Sequence, residues 1–419
     1  MITSASPDSK TVTYLDVLRN RNFALLWMGQ SISLVGDIMF MFSINWLILE
    51  KTGSALQVGG NLLVTVISDV VFSSIAGVLA DRWNRRRLML GSDLLRGGLV
   101  LALAIALGLT PFSIWYIYIT NFFLTSISSF FFPTYQAVIP GVLDREALVT
   151  GRSLTISTAR LLQALGSALS GLLIVAFSVE WGIVINALSF FISALTIFLA
   201  QIPQATAPSQ KSLTIATLLG DVLEGWRLIR ESMVLASLFL LFTLGDFGAA
   251  FTWPVHVVFA EKVLKGGPQL YGYLASVSLV GGFLGAFFVG RYNKWFKKHA
   301  GLSYFLANSI WGLFCILFGL TSSIPLALVY RFAIGWSLSM IHVPISALVD
   351  VNTPDSHRGR VWASIIMGSS VASTVSIGLS GLIADHWSAR ASYVIAGVIL
   401  LITALVSFGL PRIRNARIE

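Results

Sequence analysis

The chain has 419 residues, of which 56% are hydrophobic and 11% are charged. Because soluble globular proteins carry about 25% charged residues, this composition excludes a soluble domain and indicates a membrane protein. The formal net charge is +9, and the single cysteine, Cys315, excludes an intrachain disulfide and argues against a metal cluster.

The apolar residues form long runs, which are taken here in chain order. Residues 1–20 are polar and lack the pattern of a signal peptide, so the first run must serve as the membrane signal. Each run approaches the roughly 20 residues that span the hydrocarbon core of a bilayer. We predict spans at residues 23–49, 55–80, 88–109, 113–142, 153–177, 181–201, 233–260, 270–290, 301–321, 324–349, 361–384 and 391–410. The predicted fold is an all-α polytopic membrane protein with twelve transmembrane helices.

The basic residues are distributed unevenly between the two sides of the membrane. Most of the 28 Lys and Arg residues fall on the side of the two termini, whereas Lys51, Lys262, Lys265 and Arg390 fall on the other. Positively charged loops remain in the cytoplasm, so we expect a bacterial-type plasma membrane protein with both termini cytoplasmic. The positive charge is thus a topology signal, and no nucleic-acid partner is expected.

Two aspartates lie in the middle of apolar runs. Asp37 lies in the first span and Asp246 in the seventh, separated by about half of the 419 residues. Charged side chains inside a membrane generally face a cavity and act there. Their matching positions predict two six-helix pseudo-repeats, residues 1–201 and 233–419, with a transport site at the midplane between them.

Residues 202–232 link the two halves. Apolar side chains recur at helical spacing from Ile215 to Ile229, and charged residues occupy the other faces. This pattern predicts an amphipathic helix on the cytoplasmic surface, and a plain helical linker is the alternative. The segment is too short to form a soluble domain with its own core.

The strongest local motif is the loop GVLADRWNRRR at residues 77–87. It resembles the signature loop of the major facilitator superfamily, G-x-x-x-D-R-x-G-R-R, with Asn84 in place of the second glycine. The resemblance implies a cytoplasmic gate in which Asp81 binds the N-terminal end of a helix, and a merely topogenic basic loop is the alternative. The predicted gate residues are Gly77, Asp81, Arg82, Arg85, Arg86, Asp93, Arg96, Gly359 and Arg360.

Further stretches are similar to the drug-exporter branch of this superfamily, which includes macrolide-efflux proteins and the enterobactin exporter. They are residues 27–34 with 50–55, the loop motif with residues 89–94, and residues 353–361. The resemblance implies export of amphipathic, macrolide-like compounds by alternating access, driven by protons, with the proton gradient as the energy source and no cofactor. We expect a monomer whose partners are substrate, protons and membrane lipids.

The candidate cavity residues are polar and aromatic side chains inside the predicted spans. Asp37 shares a helix face with Gln30, which predicts a polar stripe facing the central cavity. Burial disfavours a charged carboxylate, so Asp37 and Asp246 are candidates for proton binding, and a structural role is the alternative. Trp46 and Trp253 are expected to line the cavity, because aromatic walls suit large amphipathic ligands. The full set is Asp37, Asp246, Gln30, Trp46, Trp253, Arg160, Arg331 and His342.

Asp69 in the second span needs a partner, and Arg160 and Arg331 are the candidates. Each arginine suits either a structural ion pair or an anionic substrate group. Pairing is favoured because an unpaired buried charge is costly. His342 suits either a titrating group or a hydrogen-bonded structural residue.

Other function classes find less support in the sequence. The chain contains no H-E-x-x-H, G-x-S-x-G or phosphate-loop motif and no Cys/His cluster, which argues against an enzyme and against ATP-driven transport. An ion channel is disfavoured because the two-fold repeat and the gate-like loop suit alternating access. The remaining alternatives are a solute importer and a dedicated exporter of an endogenous metabolite such as a siderophore.

Overall fold

The computed structural model describes residues 12–80, 83–203 and 215–418. Every regular element in this part of the chain is helical, and twelve helices are long and apolar enough to cross a membrane. We number these twelve in chain order as α1 (Arg21–Thr52), α2 (Ala55–Ala80), α3 (Arg85–Leu109), α4 (Ile114–Val142), α5 (Leu148–Ala176), α6 (Val179–Leu199), α7 (Met233–Val263), α8 (Gly267–Arg291), α9 (Ala300–Leu320), α10 (Ile324–Val351), α11 (Arg358–His386) and α12 (Ala389–Gly409). The predicted all-α fold with twelve spans is therefore confirmed.

The ends of α1 show how local chemistry sets a helix boundary. The Asn20 side chain accepts hydrogen bonds from the backbone N–H groups of Asn22 and Phe23, which caps the first turn. At the other end Gly53 has a φ of 65°, a left-handed conformation that favours glycine and stops the helix. The helix is longer than the predicted span 23–49 because hydropathy marks only the part that lies in hydrocarbon.

Helix α7 is interrupted near its end. The α-helical part Met233–Ala250 is followed by a turn at residues 251–254, a short helix Val255–Val258 and a π-helical turn Phe259–Val263. Pro254 has no backbone N–H and its ring clashes with a preceding carbonyl, so a proline here disfavours a regular α-helix. The segment after this break packs against α1, α8 and α12.

The helices pack as two bundles that meet along two main contacts. Within residues 21–199, α1 packs against α5 and α6, α3 against α4 and α6, and α2 against α4. Within residues 233–409, α8 packs against α10, α9 against α10 and α12, and α7 against α11 and α12. We call these the N-terminal half and the C-terminal half. The two halves meet chiefly where α2 contacts α11 and where α5 contacts α8. That the two halves are homologous repeats stays a prediction.

Small side chains let the two halves approach closely. At Gly272 on α8, a β-carbon would lie 2.5 Å from the carbonyl oxygen of Ser167 on α5. One turn further along α8, Ser276 Oγ donates a hydrogen bond of 2.5 Å to the carbonyl of Ala164. Small residues are what allow membrane helices to gain packing contacts at close range. The contact between α5 and α8 therefore depends on glycine and serine.

Both described chain ends lie on one face of the bundle, which we call the terminal face; the other is the opposite face. A short helix, Tyr14–Arg19, precedes α1, and the Tyr14 hydroxyl lies 3.1 Å from Ser153 Oγ near the start of α5. Beyond α12, the N–H of Ile418 donates to the carbonyl of Lys297 at 2.9 Å, in the connection between α8 and α9. Both described ends are thus tied to helical segments at the terminal face.

The linker contains a helix, Ile215–Glu231, that docks on the C-terminal half. Ser364 Oγ near the start of α11 donates to the carbonyl of Val222 at 2.9 Å. The ring of Trp226 lies 4.8 Å from that of Phe239 on α7. The structure therefore places the predicted linker helix against α7 and α11 at the terminal face.

Candidate functional site

A cavity of about 250 Å³ lies where α2 faces α7 and α11. Its lining residues are Val66, Phe242, Asp246, Trp253, Trp362, Ile365, Ile366, Ser369, Ser370 and Ser373. Val66 belongs to the N-terminal half and the others to the C-terminal half, so the cavity lies between the halves. Asp246 is the single charged residue of this lining, and Trp253 is 44% exposed within it. We call it the Asp246 cavity.

His342 on α10 lies within electrostatic range of Asp246 on α7. The imidazole is exposed, and its ring lies 6.4 Å from that of Phe242. A carboxylate and an imidazole each take up a proton, and each stabilises the charged form of the other at short range. The two residues therefore form an acid–base pair beside the Asp246 cavity that interacts through its charges, since no ion-pair contact joins them in the described part of the chain.

The rest of the cavity wall is aromatic and hydroxylic. Trp362 meets the ring of Phe242 edge-on at 5.6 Å, and its Nε1 donates a hydrogen bond of 2.8 Å to Asp350. Ser369 lies beside the Asp246 carboxyl group, and Ser373 follows one turn along α11. The sequence analysis missed these serines, although their spacing of four residues is the signal of a polar stripe on one helix face.

The polar stripe of α1 faces α6 and not the central cavity. Gln30 Nε2 donates to Ser193 Oγ on α6 at 3.0 Å, and Ser33 is almost fully buried. A β-carbon at Gly36 would collide with Ser189 on α6. Gln30 is absent from the described lining of the Asp246 cavity, because the small residues of this face draw α1 against α6 within the N-terminal half. Its contact with substrate or protons stays a prediction.

Asp37 lies in the interior of the N-terminal half. Asn186 on α6 lies beside its carboxyl group, and Asp93 and Arg96 on α3 are the charged residues that act on it. Asp37, Asp93 and Arg96 together contain two carboxyl groups and one guanidinium. With both acids ionised the cluster carries one excess negative charge, and one bound proton makes it neutral. Because uncompensated charge is costly away from water, the arrangement is suited to holding a proton.

Asp93 and Arg96 form an ion pair between successive turns of α3, and both are buried. The guanidinium lies between the rings of Phe131 on α4 and Phe190 on α6, at 4.4 and 4.5 Å from their centroids. The structure thus places the pair inside the N-terminal half, and its predicted part in a cytoplasmic gate stays a prediction. Their spacing of three residues lets them pair with each other, and cation–π contacts hold the pair inside the N-terminal half.

The other predicted cavity residues lie apart from the Asp246 cavity. Asp69 accepts a hydrogen bond of 3.1 Å from Ser129 on α4, and no arginine pairs with it in the described part of the chain. Arg160 is exposed on α5, whereas Arg331 is buried in the C-terminal half. Trp46 lines a separate cavity of about 500 Å³ at the opposite face. The predicted pairing of Asp69 with an arginine is therefore wrong.

At the terminal face, the loop motif begins at the end of α2. Asp81 and Arg82 lie outside the described residues, and Gly77 falls within the last turns of α2. The Asn84 side chain accepts a hydrogen bond of 2.9 Å from the N–H of Arg87 and so caps α3. This helix-capping role explains why Asn84 stands where the motif has its second glycine.

Arg85 and Arg86 attach the start of α3 to neighbouring helices of the same half. Arg85 Nη1 donates to the carbonyl of Ala137 near the end of α4 at 3.0 Å. Arg86 donates to the carbonyl of Phe198 at the end of α6, and its guanidinium lies 5.5 Å from the Phe198 ring centroid. Basic groups at the carbonyl ends of helices match the helix dipole, so these contacts stabilise the terminal face of the N-terminal half.

Gly359 and Arg360 lie in the first turn of α11. Arg360 Nη1 lies 2.6 Å from Glu224 Oε1 of the linker helix, and His357 Nε2 lies 3.3 Å from the same oxygen. Glu224 therefore joins the linker to the start of α11.

At the opposite face the two halves are fastened to each other by a helix cap. Asp385, near the end of α11, accepts hydrogen bonds from Ser54 Oγ at 2.5 Å, from the N–H of Ala55 at 2.6 Å and from the N–H of Leu56 at 3.1 Å. A carboxylate at a helix start satisfies free N–H groups and interacts favourably with the helix dipole. Asp385 of the C-terminal half thus caps α2 of the N-terminal half.

Further contacts close the same face. Lys262 Nζ donates to the carbonyl of Gly53 at 2.5 Å, and the rings of Phe42 on α1 and Tyr271 on α8 lie 4.5 Å apart. Among the described residues, the hydrogen bonds that join the halves lie at the opposite face or, between α5 and α8, at mid-depth. The bundle is therefore closed at the opposite face.

Comparison with known proteins gives the relatives of this chain. The profile of a family described as transmembrane secretion effector matches residues 12–417. Macrolide efflux protein A of Streptococcus pyogenes is 24% identical over 401 residues, covering 94% of this chain and 96% of that protein. The multidrug efflux pump Tap of Mycolicibacterium fortuitum is 25% identical over 407 residues, covering 94% and 95%.

Solved structures share the fold. The nucleoside transporter NupG has a TM-score of 0.77 at 12% identity, covering 92% of this chain and 99% of that one. A bacterial homologue of the human lysosomal transporter Spinster, in an inward-facing and unoccupied conformation, has a TM-score of 0.72 at 14% identity, covering 94% and 98%. At these identities the likeness is one of fold alone.

Proposed function

Because the chain belongs to the transmembrane secretion effector family of the major facilitator superfamily, and so is a multi-pass membrane transporter, we propose that it exports amphipathic compounds in exchange for protons. The two halves would rock about the cavity between them, so that it opens to one side of the membrane and then to the other. Macrolide-like compounds are the substrates we propose, since similar proteins include a macrolide efflux protein and a multidrug efflux pump.

The observation that carries this proposal is the acid–base pair beside an aromatic cavity. Phe242, Trp253 and Trp362 offer apolar area and ring faces to a bulky ligand. The Asp246 carboxylate attracts a protonated amine on such a ligand, and a proton taken up by Asp246 or His342 removes that attraction. Competition between proton and substrate for one carboxylate is the coupling that we propose.

The direction of transport follows from the orientation that we propose. With the basic loops of the terminal face in the cytoplasm, the closed opposite face points out of the cell. Substrate then enters the Asp246 cavity from the cytoplasm, and it leaves after the Asp385 cap and the other contacts of the opposite face separate. Asp37, with Asp93 and Arg96, supplies a second place for a proton in the N-terminal half.

The test is extrusion of macrolides and other amphipathic compounds from cells that express the chain, with and without a protonophore. We expect extrusion to be sensitive to the protonophore. In Asp246→Asn, we expect the rate of extrusion to fall about tenfold, which corresponds to an ordinary coupling free energy between two ligands. The matched control is Asp355→Asn, whose carboxylate is 89% exposed at the terminal face and pairs with Arg358.

Two outcomes would contradict the proposal. Extrusion that persists undiminished in the protonophore would refute proton coupling. Extrusion of a siderophore alone, from a panel that includes amphipathic drugs, would refute the substrate class and leave a dedicated exporter of an endogenous metabolite.

A further inference from the structure

Arg331 is a buried cation that has no anionic partner among the described residues. It lies two turns into α10 from the opposite face, and the residue is 7% exposed. Its Nε donates to the carbonyl of Leu274 on α8 at 3.4 Å, and its guanidinium lies 5.9 Å from the ring centroid of Phe318 on α9. Among the described residues, no carboxylate lies within ion-pair distance of it. An uncompensated charge in such a place is strongly destabilising.

The polar groups around Arg331 also lack partners. The Nε1 of Trp311, the hydroxyl of Tyr393 and the Nε2 of His256 are buried atoms with no hydrogen-bond partner in the described part of the chain. The Tyr393 ring lies 5.9 Å from that of His256 and 4.6 Å from that of Phe318, the ring that the Arg331 guanidinium approaches. The Arg331 charge acts on His256, Tyr393 and Cys315. Trp311 adjoins Cys315, whose thiol is only a weak acceptor for the indole N–H.

These groups share one chemical property, since each of them donates hydrogen bonds. A guanidinium and an indole N–H are donors only, and a tyrosine hydroxyl and a neutral imidazole each carry one donor. The acceptor that Arg331 contacts is a single backbone carbonyl, that of Leu274. Buried polar groups are normally satisfied, and a set of donors around a fixed positive charge is satisfied by a negatively charged acceptor. A cation would be repelled by Arg331, and no carboxylate of the described residues pairs with that guanidinium to attract a cation here.

We propose that Arg331, Trp311, Tyr393 and His256 form a binding site for a small anion inside the C-terminal half. The ligand is a chloride-sized ion or the carboxylate of a small organic compound, which present the same chemistry to these donors. His256 then carries its proton on Nε2. The site is distinct from the Asp246 cavity, whose lining contains none of these four residues. Its role is to neutralise Arg331 and so to stabilise the packing of α7, α9, α10 and α12.

The test is thermal unfolding of the purified full-length protein in detergent, at constant ionic strength. Chloride or formate replaces bulky gluconate in steps. A ligand that binds the folded state raises the melting temperature with the logarithm of its concentration. We expect this rise in the wild type and its loss in Arg331→Met, which removes the charge but keeps the apolar stem. The matched control is Arg291→Met, an exposed arginine at the end of α8, which should keep the rise.

The anions distinguish the two sources. A rise with chloride identifies an inorganic ion, and a rise with formate but not chloride identifies a carboxylate ligand. No rise with either, or an equal rise in Arg331→Met, would overturn the proposal. Trp311→Phe and Tyr393→Phe keep the charge of Arg331 and remove one hydrogen-bond donor each. They therefore test the proposal even if Arg331→Met does not fold. Each should raise the half-saturating anion concentration about tenfold, and an unchanged value in both would also overturn the proposal.

Discussion

Three charged side chains in the described interior of this protein are balanced in different ways. Arg96 is paired with Asp93 and enclosed by two aromatic rings. Asp246 has a titratable neighbour, His342, and an aromatic cavity. Arg331 has no carboxylate partner among the described residues, and an anion from solution is the partner that we propose for it. The permanent pair is suited to stability, whereas the titratable pair is suited to a charge that changes during transport.

The Asp93–Arg96 pair makes a sharp prediction about stability. Arg96→Met should destabilise the folded protein by about 3–5 kcal/mol, because it leaves the Asp93 carboxylate buried without its counter-charge. The double variant Asp93→Leu/Arg96→Met should recover most of this loss, since an apolar pair of similar volume needs no compensation. Thermal and denaturant unfolding in detergent would measure both. A double variant that is less stable than Arg96→Met would contradict the assignment.

The Asp246–His342 pair makes a prediction about coupling. Asp246→Asn and His342→Gln should each reduce protonophore-sensitive transport into everted vesicles. The double variant should be no slower than the slower single variant, because residues that act as one unit have non-additive effects. Initial rates of substrate uptake under an imposed proton gradient would show this. Two losses that multiply would mean that the residues act independently.

Among the helices, the contacts that join the two halves are short and local. The cap that Asp385 places on α2 uses three hydrogen bonds at a single helix start. Such a contact breaks as a unit when the helix end moves away from the carboxylate. By contrast, the contact between α5 and α8 is a close backbone approach at Gly272. A rocking motion can therefore release the cap at the opposite face while the helices stay in contact at mid-depth.

The cap yields a prediction about the conformational equilibrium. Asp385→Ala should favour the form that is open at the opposite face by about fivefold, because loss of an N-cap costs about 1 kcal/mol. Distances between spin labels on α2 and α11 at this face would report the shift. Asp355→Ala, which removes an exposed carboxylate at the terminal face, serves as the control. Unchanged distances in Asp385→Ala would exclude the cap as a latch.

Some of these contacts were visible in the sequence and others were not. Run lengths predicted the twelve helices, since hydrocarbon thickness fixes how many apolar residues a span needs. Run lengths did not show which face of α1, with Asp37 on it, packs inside the N-terminal half. The small residues on the face of Gly36 were the available signal, because they mark where helices pack closely. Asp385 was missed because its partners near Ser54 are far away in sequence, and only the fold brings them together.

For the whole molecule, the closed opposite face determines from which side the central cavity is reached. The described contacts between the halves fasten the opposite face, and the Asp246 cavity lies between α2 and α11. We therefore propose that this cavity is reached from the terminal face, which is the cytoplasmic side in the orientation that we propose. In the proposed export cycle, this state takes up substrate from inside, and release requires the Asp385 cap of the opposite face to break.

Labelling by a membrane-impermeant thiol reagent tests this arrangement in the intact protein. The native Cys315 is fully buried and stays in place. Ser370→Cys, at a partly exposed position of the cavity wall, should react in everted vesicles and stay protected in whole cells, because the opposite face is closed. Glu180→Cys, exposed at the opposite face, should show the reverse.

Adding Asp385→Ala should raise the reaction of Ser370→Cys in whole cells about fivefold, in step with the loss of the cap. Equal reaction of Ser370→Cys from both sides in the unmodified background would mean that the opposite face does not seal the cavity, and alternating access through these contacts would be refuted.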